Sequence, residues 1–74
     1  MLRFKLVDNG NGFYLYEYYP EDDRSVFGVI RLGKNGESEI VTLSPGDEFK
    51  SYAFHAISYI SRNLGEKEGI VAWY

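Results

Sequence analysis

The chain has 74 residues, a formal net charge of −3, no cysteine and an aromatic content of 18%. One domain (1–74) near the lower limit for folding without a staple is expected, disulfides are excluded, and one histidine without cysteine leaves no donor set for zinc. The acidic balance argues against duplex DNA, and no apolar run reaches the ~20 residues that span a bilayer, so the expected compartment is the cytoplasm, without membrane contact.

Leu2, Phe4 and Leu6 alternate with Arg3 and Lys5, the pattern of a half-buried strand. The Asn-Gly pairs of residues 8–12 predict a hairpin, and residues 13–19 form a second strand composed almost wholly of aromatics. An acidic turn at residues 20–25 ends it, because Pro20 cannot continue a central strand. Residues 26–32 read as a third strand, in which Gly28 marks a bulge or the close approach of a ring. A Gly-Lys-Asn-Gly turn leads into a fourth strand at residues 37–43.

Residues 47–64 carry the helical periodicity. Phe49, Ala53, Ala56, Ile57, Ile60 and Leu64 fall on one stripe, with Ser44 or Asp47 as the cap, Arg62 in the last turn and Gly65 at C′. After a charged link, residues 70–74 read as a short last strand that must dock to cover Trp73. The order β-β-β-β-α-β predicts an α+β fold, a mostly antiparallel four- to five-stranded sheet with one α-helix packed on one face.

One helical layer leaves the far sheet face open. In the second strand either Tyr14, Tyr16 and Tyr18 or Phe13, Leu15 and Tyr19 face away from the helix. Tyrosine tolerates water better than Phe or Leu, so Tyr14, Tyr16 and Tyr18 are expected outside, although this turns Glu17 inward. With Phe27 and a fringe of Arg3, Lys5 and Arg31 they would form a surface of rings and cations. Such a surface suits a protein partner or a homodimer, and equally the plain cross-strand pairing that stiffens a thin sheet. Rings beside cations also stack single-stranded bases, but the element order and the lack of an RNP-like motif make nucleic acid the weaker alternative.

A second candidate surface is the helix shoulder of His55, Tyr59 and Arg62. Ser51 and Ser58 lie one turn either side of His55, yet serine catalysis also needs an orienting third group and an oxyanion hole. A nucleophile elbow does not occur nearby in the sequence, so the expectation is a non-catalytic module with no catalytic residue, cofactor or metal site. Glu21, Asp22 and Asp23 lack the ligand spacing of a calcium loop and read as a solvated turn.

Tyr18-Tyr19-Pro20-Glu21, Asp47-Glu48-Phe49-Lys50, Tyr52-Ala53, His55-Ala56-Ile57 and the segment from Gly69 to Tyr74 together resemble a family of small uncharacterised proteins from Gram-positive bacteria. The resemblance covers most of the chain. It implies a bacterial cytosolic protein and brings no activity, ligand or catalytic residue with it.

Overall fold

In the computed structural model, which describes residues 1–72, the first hairpin sets the register of everything that follows. β1 (Leu2–Gly10) and β2 (Phe13–Pro20) pair antiparallel, with Phe4 opposite Tyr18 and Leu6 opposite Tyr16. β3 (Gly28–Gly33) and β4 (Ser38–Thr42) continue the meander outward. The helix α1 (Ser51–Arg62) then crosses the sheet, and β5 (Glu68–Val71) returns beside β1, giving the strand order β4-β3-β2-β1-β5. This is the expected α+β order of elements. Trp73 and Tyr74, expected in the last strand, lie outside the described residues.

The register also decides which face is dry. Leu2, Phe4, Tyr16, Tyr18, Ile30 and the helix residues Ala53, Ala56 and Ile60 all have zero exposure and pack into one cluster. Tyr14 is half-buried against it. The expectation that Tyr14, Tyr16 and Tyr18 face solvent is therefore corrected: all three turn toward the helix, while Phe13, Leu15, Glu17 and Tyr19 take the open side.

The physical reason is that the phenol groups find partners at the rim of the core. The Tyr16 hydroxyl donates to the Glu66 carbonyl at 2.9 Å and accepts from the Gly65 amide at 3.1 Å. The Tyr18 hydroxyl donates to Asp47 Oδ2 at 3.3 Å and accepts from the Ser44 amide at 3.0 Å. A buried tyrosine whose oxygen is satisfied costs little, and two long rings fill the room that Ala53 and Ala56 leave. Burial pushes both hydroxyls above their ordinary pKa. Gly28 completes the fit, since a Cβ there would meet Tyr18 Cε1 at 2.4 Å. Close ring approach, one of the two expected roles for this glycine, is what the structure has.

The helix begins later than its periodicity suggests. Lys50 occupies the N-cap position with φ 62° and no capping side chain of its own. The Asp47 carboxylate reaches forward instead, accepting from the Tyr52 amide at 3.0 Å and the Ala53 amide at 2.9 Å. It does so while only 2% exposed. Ser44 fixes the approach to that turn: its hydroxyl donates to the Val26 carbonyl and accepts from the Gly46 amide. Of the two expected capping residues, Asp47 therefore serves the helix amides from outside the helix, and Ser44 instead braces the turn that leads to it. At the other end Gly65 takes φ 93°, a left-handed conformation that a side chain would strain. Phe49 and Leu64, placed on the buried stripe by their spacing, fall beyond the two helix ends and are exposed.

Helix geometry then assigns the flanks. Tyr52 and Tyr59 lie toward β1, where the Tyr59 ring stands 5.7 Å from Phe4. Ile57, Ser61 and Leu64 lie on the opposite flank, and Ser61 and Leu64 share a recess with Leu32 and Gly33 of β3. The helix rests on β1, β2, β3 and β5, which leaves β4 at the margin with only Ile40 shielded.

Candidate functional site

The open sheet face carries Arg3, Lys5 and Arg31 as expected, but the chemistry around them differs. Cross-strand rows read Glu68–Lys5–Glu17–Val29 and Asp8–Leu15–Arg31–Glu39. Arg31 Nε is 2.9 Å from Glu39, and Arg3 Nε is 2.7 Å from Asp22. Tyr19, near the end of β2 on this face, is buried beneath Phe27 at 6.4 Å and Arg24 at 5.6 Å, and its hydroxyl donates to Glu17. Burial first, then the Glu17 carboxylate, pushes that hydroxyl up to about 12. Phe27 itself precedes β3 and remains exposed. Alternating charge with small apolar gaps describes a wetted sheet face, and two of its three cations are already engaged in ion pairs.

The acidic turn after β2 is tightly built. Glu21 and Asp22 both have positive φ, 53° and 61°, and the Asp23 amide donates to the Pro20 carbonyl at 3.0 Å, closing a turn of the primed kind. Glu21 takes the Met1 α-ammonium at 2.6 Å and the Tyr52 hydroxyl at 2.9 Å. The ammonium holds the Glu21 carboxyl below the usual carboxylate range, and the Arg3 guanidinium does the same for Asp22. These groups spend their charge on shaping the turn.

On the helix shoulder His55 is half-buried, Tyr59 is turned partly into the core, and Arg62 donates from Nε to the Ser58 carbonyl at 3.2 Å. The structure brings His55 into a shallow recess with Ser51, Phe54 and Ser58. A second recess, lined by Pro45, Gly46, Asp47, Glu48, Phe49, Ser51 and Tyr52, adjoins it. Ser51 lines both and so lies between two aromatic rings, Phe49 at 83% exposure and Phe54 at 57%.

This ring pair is the feature that sequence reasoning missed. Apolar spacing places Phe49 on the buried stripe, but the left-handed turn at Lys50 starts the helix after it and leaves it exposed. Phe54 had a visible signal: it stands among Ser51, His55 and Ser58 on the polar side of the helix, where an aromatic has no core to enter. Phe49 and Phe54 are the two most exposed of the large hydrophobic residues among the described residues, and the recesses they line share Ser51.

Fold and surface together define a two-layer α+β domain with one wetted sheet face, one exposed ring pair and a bare edge at β4. No protein-family model, curated protein or solved structure matches the chain. Among the described residues no helix is long and apolar enough to cross a membrane.

Proposed function

We propose that this protein is a non-catalytic protein-interaction module of the bacterial cytoplasm, with Phe49 and Phe54 as its anchors. The observation that carries the reading is their joint exposure on either side of Ser51. Fully burying a Phe side chain is worth about 1.5–3 kcal/mol, so the exposed parts represent about 1–2 kcal/mol of transfer free energy for Phe54 and about 1–2.5 kcal/mol for Phe49. Only part of that survives the cost of association, yet it is the scale at which a few rings dominate an interface. Ser51, His55 and Ser58 add polar groups beside the rings, in keeping with the mixed lining of protein contacts.

A protein partner is favoured over single-stranded nucleic acid because Tyr16 and Tyr18, the rings of a stacking platform, lie in the core. The acidic net charge points the same way. The test is capture from native lysate with the wild-type protein and with Phe49→Ser/Phe54→Ser as bait, with and without nuclease. The expected result is a partner retained after nuclease and reduced at least tenfold by the double substitution. Equal capture by both baits, or loss of all capture on nuclease treatment, would overturn the reading.

A further inference from the structure

We infer that Asn11 is a site of spontaneous covalent modification, losing its side-chain amide as ammonia through a cyclic imide formed with Gly12. The product places isoaspartate or aspartate at the tip of the first hairpin. Three of the four asparagines, Asn9, Asn11 and Asn35, precede a glycine. Glycine puts no side chain in the path of its own amide nitrogen, so all three pairs are chemically competent. The fold separates them.

Ring closure requires an unengaged glycine amide, a side chain free to turn, and backbone torsions outside the extended range. Asn9 fails on the last count. It lies in β1 opposite Tyr14, and the Phe13 ring lies so close against Gly10 that a Cβ there would collide with it. Asn35 fails on the first two. The Gly36 amide donates to the Gly33 carbonyl at 3.1 Å, and the Asn35 side-chain carbonyl accepts from the Glu37 amide at 3.4 Å. Asn11 meets every requirement. It and Gly12 are exposed between β1 and β2, and a Cβ built on Gly12 would meet nothing within 4 Å. Among the described residues, neither the Gly12 amide nor the Asn11 side chain has a hydrogen-bond partner. Gly12 takes φ 84° while Asn11 is not among the residues of positive φ. Those are the φ signs of a type II turn, which fits the twist of paired strands less well than the primed turns and holds the tip less firmly.

The reaction needs only water. The Gly12 nitrogen gives its proton to solvent base and bonds to Asn11 Cγ, the Cγ–Nδ2 bond breaks, and ammonia leaves. Water then opens the imide. Attack at the Cγ carbonyl yields aspartate, whereas attack at the α-carbonyl yields isoaspartate, which routes the main chain through the side chain and lengthens it by one methylene. Both products carry one more negative charge than asparagine. Position gives the change a consequence. The Gly12 carbonyl accepts from the Lys34 amide at 2.9 Å, and the Lys34 ammonium stands 5.2 Å from the centre of the Tyr14 ring, so this tip ties the first hairpin to the β3–β4 turn. A longer main chain at residue 11 withdraws that carbonyl, while aspartate leaves it in place.

The test incubates the whole protein at mildly alkaline pH, folded and in urea, and follows tryptic peptides 6–24 and 35–50, with fragment ions separating Asn9 from Asn11. In the folded protein Asn11 is expected to convert at least about tenfold faster than Asn9 or Asn35, whose reaction waits on local opening, and in urea the three rates should converge. Asn11→Gln should remove most of the ammonia released and most of the acidic species seen on anion exchange. The isoaspartyl form, once isolated, should unfold at lower urea than wild type with faster exchange at the Lys34 amide. Freshly prepared Asn11→Asp, which has the charge and the ordinary main chain, should match wild type in both. No conversion at Asn11, or folded-state rates at Asn9 or Asn35 that equal or exceed it, overturns the site. An isoaspartyl form as stable as Asn11→Asp, with exchange at Lys34 unchanged, overturns the coupling to the β3–β4 turn.

Discussion

Replacing Asp47 by alanine tests whether one buried carboxylate joins the helix to the sheet. In the folded protein that carboxylate accepts from the Tyr52 and Ala53 amides and from the Tyr18 hydroxyl. Loss of an N-terminal cap costs about 0.5–2 kcal/mol, and a hydrogen bond to a charged group is worth about 1.5–3 kcal/mol net. Water entering the site recovers part of this, so Asp47→Ala is expected to cost about 3–4 kcal/mol. A domain of this length has only about 4–11 kcal/mol in total, so the change consumes a large share of it.

Asp47→Asn keeps one acceptor oxygen but turns an amide N–H toward a backbone donor, and should lose about half as much. Tyr18→Phe leaves the Ser44 amide without its acceptor and should cost about 1–3 kcal/mol. Because the two side chains touch at 3.3 Å, the double variant should fall short of additivity by about 1 kcal/mol. Urea unfolding followed by circular dichroism at 222 nm reads all four variants, with amide exchange at Tyr52 and Ala53 reporting the helix start. A cost below about 1 kcal/mol for Asp47→Ala, with helical signal intact, would show that the left-handed turn at Lys50 nucleates the helix unaided and that the carboxylate is incidental.

Four further outcomes are expected. Tyr16→Phe removes the acceptor of the Gly65 amide and the donor to the Glu66 carbonyl, and should cost about 1–3 kcal/mol with faster exchange at Gly65. Gly28→Ala drives a methyl into the Tyr18 ring and should destabilise by about 1–3 kcal/mol in the same urea assay, whereas the change in Tyr18→Phe/Gly28→Ala should be smaller than the sum. The carboxyls of Glu21 and Asp22 titrate below their ordinary values of 4.5 and 3.8 in the folded protein, so their contribution is present above those values and declines as pH falls below them. Asp22→Asn should flatten the fall of the urea midpoint on acidification. Tyr19 is raised from 10.0 to about 12, so its contribution is complete below pH 10 and disappears as pH climbs through 12. Tyrosinate absorbance should therefore show a late-titrating component that Tyr19→Phe deletes.

The strands and their order along the chain were legible because alternation and the Asn-Gly and Gly-Lys-Asn-Gly turns are local signals. The helix was legible from Ala53, Ala56 and Ile60. The side taken by β2 is hard to read from composition because tyrosine has two natures, a phenol that favours water and a ring that favours the core, and strand parity decides between them. Glu17 held the answer: in a period-two strand, putting its carboxylate in water commits Tyr16 and Tyr18 to the core. What no local pattern could supply was the set of oxygens and amides, at Ser44, Asp47, Gly65 and Glu66, that receive the two buried hydroxyls. Those partners come from segments 26 to 50 positions away. The exposure of Phe49 was hidden for a similar reason, since it depends on the forward reach of Asp47 and not on the spacing of apolar residues.

The pairing of β5 with β1 sets Leu2 beside Val71, so the first strand stays open along one side until residues 68–71 reach it. The hairpins of β1 through β4 close between neighbours in sequence, whereas this contact joins the two most distant described strands and waits on the elements between them. Folding of this small domain is therefore expected to await a late event, the arrival of β5 at β1, and to be slower than its size alone suggests.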